Sequence, residues 1–161
     1  MSTIEKKLVK VGKYVNNAHV DTLIRNYKKE RWIQNSERIG KEDSLSTWYT
    51  TDELEEFLER VKIHGADGIR FYFGAYSADY AEKPEYATRQ TIVMVATRSK
   101  EVNGVLAHKD VYITDANGAP KILAYNAGSM CPPFCPPPGG LGRSSLGVTL
   151  IDRGEKGVSI I

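Results

Sequence analysis

No run of about 18 apolar residues occurs in this 161-residue chain, so no transmembrane helix is expected. The first ten residues, Met1 to Lys10, hold no apolar core and no small-residue cleavage site; export by a classical signal is not expected, and a cytoplasmic location is. Cysteine is scarce, at two residues, which is too few for a disulfide scaffold. Histidine is scarce as well, and His19, His64 and His108 are scattered with no local ligand pair. An excess of charge is also missing. Lys and Arg number 22 against 20 Asp and Glu, a balance that argues against nucleic acid or an anionic membrane as partner.

What is present is globular. Hydrophobic residues make up 41% and charged residues 26%, which sets wholesale disorder aside. The length suits one domain, 1–161, with 1–14 a short helix or mobile arm and 126–145 a loop rich in Cys, Pro and Gly.

The first third reads as helix. Asn16 or Asn17 can cap its start, and Val20, Leu23, Ile24 and Tyr27 fall on one helical face. The pattern continues through Trp32 and Ile33 toward Gly40. Lys28, Lys29 and Arg31 around Trp32 are a basic patch with an aromatic, but Glu30, Glu37 and Glu42 dilute it, so a solvated face is the better reading. Thr50-Thr51-Asp52-Glu53 is a capping box. It predicts a helix from Thr51 to Ile63, with Leu54, Phe57, Leu58 and Val61 inward and Gly65 as the stop.

Strands follow. Ile69 to Tyr76 alternates, placing Ile69, Phe71 and Phe73 toward the helices and Arg70 and Tyr72 on the other face. Residues 77–88 form a polar loop that, with Tyr76, Tyr80 and Tyr86, could make one wall of a ligand site. Ile92 to Val95 predicts a central strand buried on both faces, whose Arg70 side needs cover from a second protomer or the C-terminal tail. Residues 99–107 read as a Gly-containing connection, and Asp110 to Thr114 as the next strand. Asp115 to Pro120 is a hairpin loop carried by Asn117-Gly118, and Lys121 to Tyr125 returns. The fold class is therefore α+β: N-terminal helices packed on a mainly antiparallel sheet of four to six strands, with a Pro/Cys-rich loop before a C-terminal strand pair. That pair reads over Leu146–Ile151 and Val158–Ile161, and the terminal Ile160-Ile161 is expected to dock on this chain's sheet edge or on a partner's.

The segment Cys131-Pro132-Pro133-Phe134-Cys135 is the chemically unusual one. It lies in a stretch holding both cysteines and five of the seven prolines, which favours a stiff, extended backbone. Four readings compete. Cys131 and Cys135 could hold zinc, with a two-fold dimer supplying four thiolates. They could close a five-residue disulfide ring. Cys131 could be a nucleophile with a histidine as base. Or both could be structural. Gly139-Gly140-Leu141-Gly142-Arg143 resembles a phosphate loop but fails on spacing, because Pro137 stands where a glycine is needed; an anion nest with Arg143 is what remains.

Two pieces together resemble a known pattern. Trp48-Tyr49-Thr50-Thr51-Asp52-Glu53-Leu54, followed by Asp67-Gly68-Ile69-Arg70-Phe71-Tyr72-Phe73-Gly74, is similar to a group of small uncharacterised bacterial proteins. In that group a capped helix leads to such a strand, then to one of T-x-x-x-V-x-T-R type, and sometimes to a cysteine–proline loop. The resemblance spans residues 47–135. It implies a bacterial single-domain protein and carries no activity and no catalytic residue.

The functional expectation is a binding or interaction module that self-associates or takes a protein partner. Arg70, Tyr72, Tyr76 and Arg143 are its ligand-binding candidates. The alternative is an enzyme using Cys131 or a metal on Cys131 and Cys135, with Arg70 holding an anionic substrate.

Overall fold

The computed structural model describes residues 8–135, 150–152 and 158–160. Asn16 caps α1 (Asn17–Tyr27), its side chain accepting from the His19 N–H at 3.0 Å. The helix continues through a π-helical turn, Lys28–Trp32, into α2 (Ile33–Ile39) and stops at Gly40. Val20, Ile24 and Tyr27 are half-buried on the expected face, whereas Leu23 is exposed. The short β1 (Ser46–Trp48) precedes α3 (Thr51–Ile63). Both halves of the capping box are made, and the carboxylate of Glu53 also accepts from the Tyr125 hydroxyl at 2.8 Å. At the far end Gly65 has φ +72°, and Ala66 N–H reaches Val61 O while Gly65 N–H reaches Lys62 O, a Schellman stop that needs the left-handed residue.

The main sheet is antiparallel. Its long strand β3 (Gln90–Val102) pairs with β2 (Gly68–Ala75) on one side. Its other side pairs first with β4 (Val105–Asp110) and then with β7 (Ala124–Tyr125). The change of partner happens at Ala96. Ala96 N–H donates to Leu123 O, Leu123 N–H to Val111 O and Val111 N–H to Ala96 O, each at 2.9 Å. This closed ring of three bonds lets the hairpin of β5 (Tyr112–Thr114) and β6 (Pro120–Ile122) leave the sheet with no peptide group in the ring stranded. Beyond β7, the short β8 (Ser129–Cys131) pairs antiparallel with β1. The pair β9 (Leu150–Asp152) and β10 (Val158–Ile160) forms a separate ribbon. Among the described residues that ribbon does not join the main sheet. The α+β class, the meander and the C-terminal strand pair all stand.

The core lies between α3 and one sheet face: Phe57 and Val61 meet Met94, Ala96 and Leu123, with Ile69 and Tyr125 packed against them. Three expectations need correction. Residues 99–107 are not a loose connection. Both strands run on to a tight hairpin at Asn103-Gly104, whose φ angles of 52° and 79° suit that pair. Burial on β3 falls on Met94 to Thr97, two residues later than the apolar run, because that is where α3 and Leu123 sit. And Phe71 and Phe73 do not pack under the helices.

No helix among the described residues is long and apolar enough to cross a membrane.

Candidate interaction surface

Among the described residues β2 is an edge strand, bonded to β3 alone. Ile69 turns into the core, but Phe71 is 58% exposed and Phe73 81% exposed. The core-forming helix α3 covers the middle of the sheet, and the flank of β2 extends past it. Phe73 instead borders a cleft of about 190 Å³ lined by Tyr27, Ser44, Thr47, Ile92 and Met130. That volume is small for a drug-sized ligand, which needs roughly 300 Å³ or more.

The peptide groups of β2 have a fixed parity. Tyr76 N–H donates to Arg89 O at 3.0 Å and Tyr76 O accepts from Thr88 N–H at 3.2 Å. With Thr88 at φ 66°, this is a G1 bulge opposite Tyr76. Because antiparallel bonding alternates, Arg70, Tyr72 and Gly74 direct their N–H and C=O groups to β3. Ile69, Phe71 and Phe73 direct theirs outward. No hydrogen bond among the described residues reaches those outward groups.

On the opposite face the sequence candidates Arg70 and Tyr72 do come together, around a residue that sequence reasoning missed. Arg70 Nη1 donates to Asp110 Oδ1 and to the Tyr72 hydroxyl, both at 3.1 Å, and Nη2 donates to His108 O at 2.8 Å. The Tyr72 hydroxyl donates to Asp110 Oδ2 at 2.8 Å. The anion within reach of Arg70 is thus the chain's own Asp110. Nearby, Ser99 Oγ lies within hydrogen-bond distance of both His108 Nδ1, at 2.9 Å, and Asp67 Oδ1, at 3.2 Å.

Tyr76, Tyr80 and Tyr86 sit as anchors. Tyr86 is fully buried; its hydroxyl donates to Gly128 O at 3.0 Å and accepts from Met130 N–H at 3.2 Å. The Tyr76 ring lies 4.5 Å from that of Tyr80 and 5.5 Å from that of Tyr86, and its hydroxyl donates to Asn126 Oδ1 at 2.9 Å. Phe134 meets Tyr86 edge-on at 5.6 Å, with Lys83 Nζ over both rings.

Cys131 and Cys135 are bonded to each other. Of the readings weighed for them, this is the disulfide ring. In this state neither thiolate is available as a nucleophile or a metal ligand, and Cys131 is buried. Among the described residues no group of three or more His, Cys, Asp or Glu could hold a metal ion. The expected extended backbone gives way over 131–135 to a tight turn, with Phe134 N–H returning to Met130 O at 2.8 Å. Arg143 lies outside the described residues.

A second feature missed in the sequence is a polar knot under α2. Buried Asp43 takes the N–H groups of Ser44 and Gln90 on Oδ1, and its carbonyl accepts from Trp32 Nε1 at 2.7 Å. Arg89, also buried, donates to the carbonyls of Glu42 and Glu85. Burial pulls the Arg89 guanidinium below its usual range, opposed by Asp43 and Glu42. The partners are satisfied, which marks the knot as structural.

No family model, no curated protein and no solved structure matches the chain.

Proposed function

We propose that this chain is a single-domain binding module that takes an extended partner strand along the free edge of β2. One observation carries the reading: an edge whose peptide groups at Ile69, Phe71 and Phe73 are bonded by no described residue also exposes two phenylalanines. Added strands gain affinity from main-chain bonds and specificity from alternate side chains, and β2 offers both. Edge strands are commonly blunted by Pro, Lys or an early stop, and none interrupts 68–75. Support for binding over cysteine chemistry comes from the bonded, buried Cys131 and from the carboxylate already on Arg70. A bacterial cytoplasmic setting belongs to the same proposal and sets a condition, since a reducing compartment opens exposed disulfides.

Selection of a random peptide library on the immobilised protein tests the reading. The expected enrichment is for extended sequences with apolar residues at alternate positions, lost with Phe71→Lys and with Phe73→Ser. No enrichment, or enrichment indifferent to both substitutions, overturns it.

A further inference from the structure

A partner strand for β2 can come from another copy of β2, provided the strand is complementary to its own reversal, because a two-fold interface that sets one residue against a second also sets the second against the first. The sequence meets that condition. Reversed about Phe71, Gly68-Ile69-Arg70-Phe71-Tyr72-Phe73-Gly74 places Gly68 on Gly74, Ile69 on Phe73, Arg70 on Tyr72 and Phe71 on itself. The backbone meets it too. A two-fold centred on an outward-bonding residue makes that residue and every second neighbour a hydrogen-bonded pair. Phe71, Ile69 and Phe73 are the residues whose peptide groups point outward.

Resting on the reading of β2 as a binding edge, we infer that the partner is a second copy of this chain, paired antiparallel through β2 with the two-fold axis at Phe71. About six main-chain bonds then join the copies, two at Phe71 and four between Ile69 and Phe73. On one face the exposed Phe71 rings meet at the axis, flanked by Phe73 against Ile69. Charge fixes the direction on the other face. Each strand carries Arg70 on one side of Phe71 and Tyr72 on the other, and within a copy both side chains converge on that copy's own Asp110. Antiparallel pairing sets the Arg70 of each copy directly across from the Tyr72 of the other, the same kind of aromatic ring that Arg70 already approaches at 5.7 Å within its own strand. A parallel pairing in register would set Arg70 against Arg70.

Sedimentation over a dilution series and symmetric cross-linking test this together. In the proposed register the Phe71 Cα atoms face at about 5.5 Å, within disulfide range, while the Phe73 Cα atoms are four residues apart, about 13 Å along the strands. Wild type is expected to sediment as a concentration-dependent dimer. Phe71→Lys, which sets two ammonium groups on the axis, is expected to sediment as a monomer with an unchanged melting profile. Under mild oxidation Phe71→Cys should give a covalent dimer and Phe73→Cys should not. A monomeric wild type at every concentration, a dimer that survives Phe71→Lys, or Phe73→Cys linking as readily as Phe71→Cys overturns the inference. Should wild type be monomeric while library peptides still bind in a Phe71-dependent way, the binding edge stands and only the second copy falls.

Discussion

Tyr76 and Arg89 face each other across a bulge, and the bond from Tyr76 N–H to Arg89 O decides which way every peptide group of β2 points. Thr88, the extra residue, has φ 66°, a conformation that costs a β-branched residue about 1–2 kcal/mol. Had the bulge fallen one residue away, Ile69, Phe71 and Phe73 would bond β3 and the outward pattern would belong to Arg70 and Tyr72. The bulge thus links a strained loop residue to the character of the edge.

Thr88→Gly should therefore stabilise the fold, by about 0.5–1 kcal/mol after the unfolded-state entropy of glycine is counted. Urea denaturation of the two proteins measures it. A loss of stability would mean that the Thr88 side chain contributes more than its backbone strain costs.

Tyr86 holds the start of β8 by two bonds from one hydroxyl, to Gly128 O and from Met130 N–H. Tyr86→Phe keeps the ring but leaves both buried backbone groups without that partner, at about 1–3 kcal/mol. Tyr86→Ala also removes a fully buried ring and should cost about 3–5 kcal/mol. Equilibrium unfolding gives both values, and equal costs would show that the ring contributes nothing.

Glu53 ties α3 to β7. The Thr50 N–H, the Tyr125 hydroxyl and the Thr50 hydroxyl, in that order, hold its carboxylate below the ordinary range. A lowered folded pKa means that the contribution is complete above the usual glutamate value of about 4.3 and fades as pH falls through the folded pKa. Glu53→Gln should accordingly reduce stability at neutral pH and make no difference once wild-type Glu53 is protonated. Melting curves across the acid limb show the convergence; a constant gap would place the effect outside this titration.

Closing the five residues from Cys131 to Cys135 constrains the unfolded chain by about 2 kcal/mol on the loop-entropy account. Without reductant, neither cysteine should take up iodoacetamide under denaturing conditions. The double substitution Cys131→Ser with Cys135→Ser should lower stability by no more than that amount while leaving the β2 edge competent. Loss of self-association in the double variant would tie the cysteine turn to the edge.

Much of this fold is written in local patterns. Thr50 with Glu53, Gly65 and Asn117-Gly118 fix the ends of α3 and the β5–β6 hairpin because each acts on its own neighbours. Asn103-Gly104, between Val102 and Val105, carried the same hairpin signal and was legible, although 99–107 reads first as a connection. What no local pattern holds is tertiary. Alternation put Phe71 and Phe73 on the core face, and they are on that face, but only the reach of α3 decides that the core ends at Ile69. Asp110 joins Arg70 across 40 residues, and Asp43 joins Gln90 across 47. The cysteine spacing allowed several chemistries, and only the turn that returns Phe134 N–H to Met130 O brings the two sulfurs together.

Amide hydrogen exchange on β2, residue by residue and at two protein concentrations, tests the central claim most directly. In dilute solution Arg70, Tyr72 and Gly74 should be protected by β3, while Ile69, Phe71 and Phe73 exchange fast. Raising the concentration should protect Ile69, Phe71 and Phe73 and leave the other three unchanged. Odd-numbered amides that are already slow in dilute protein, or that stay fast at every concentration, would contradict the account.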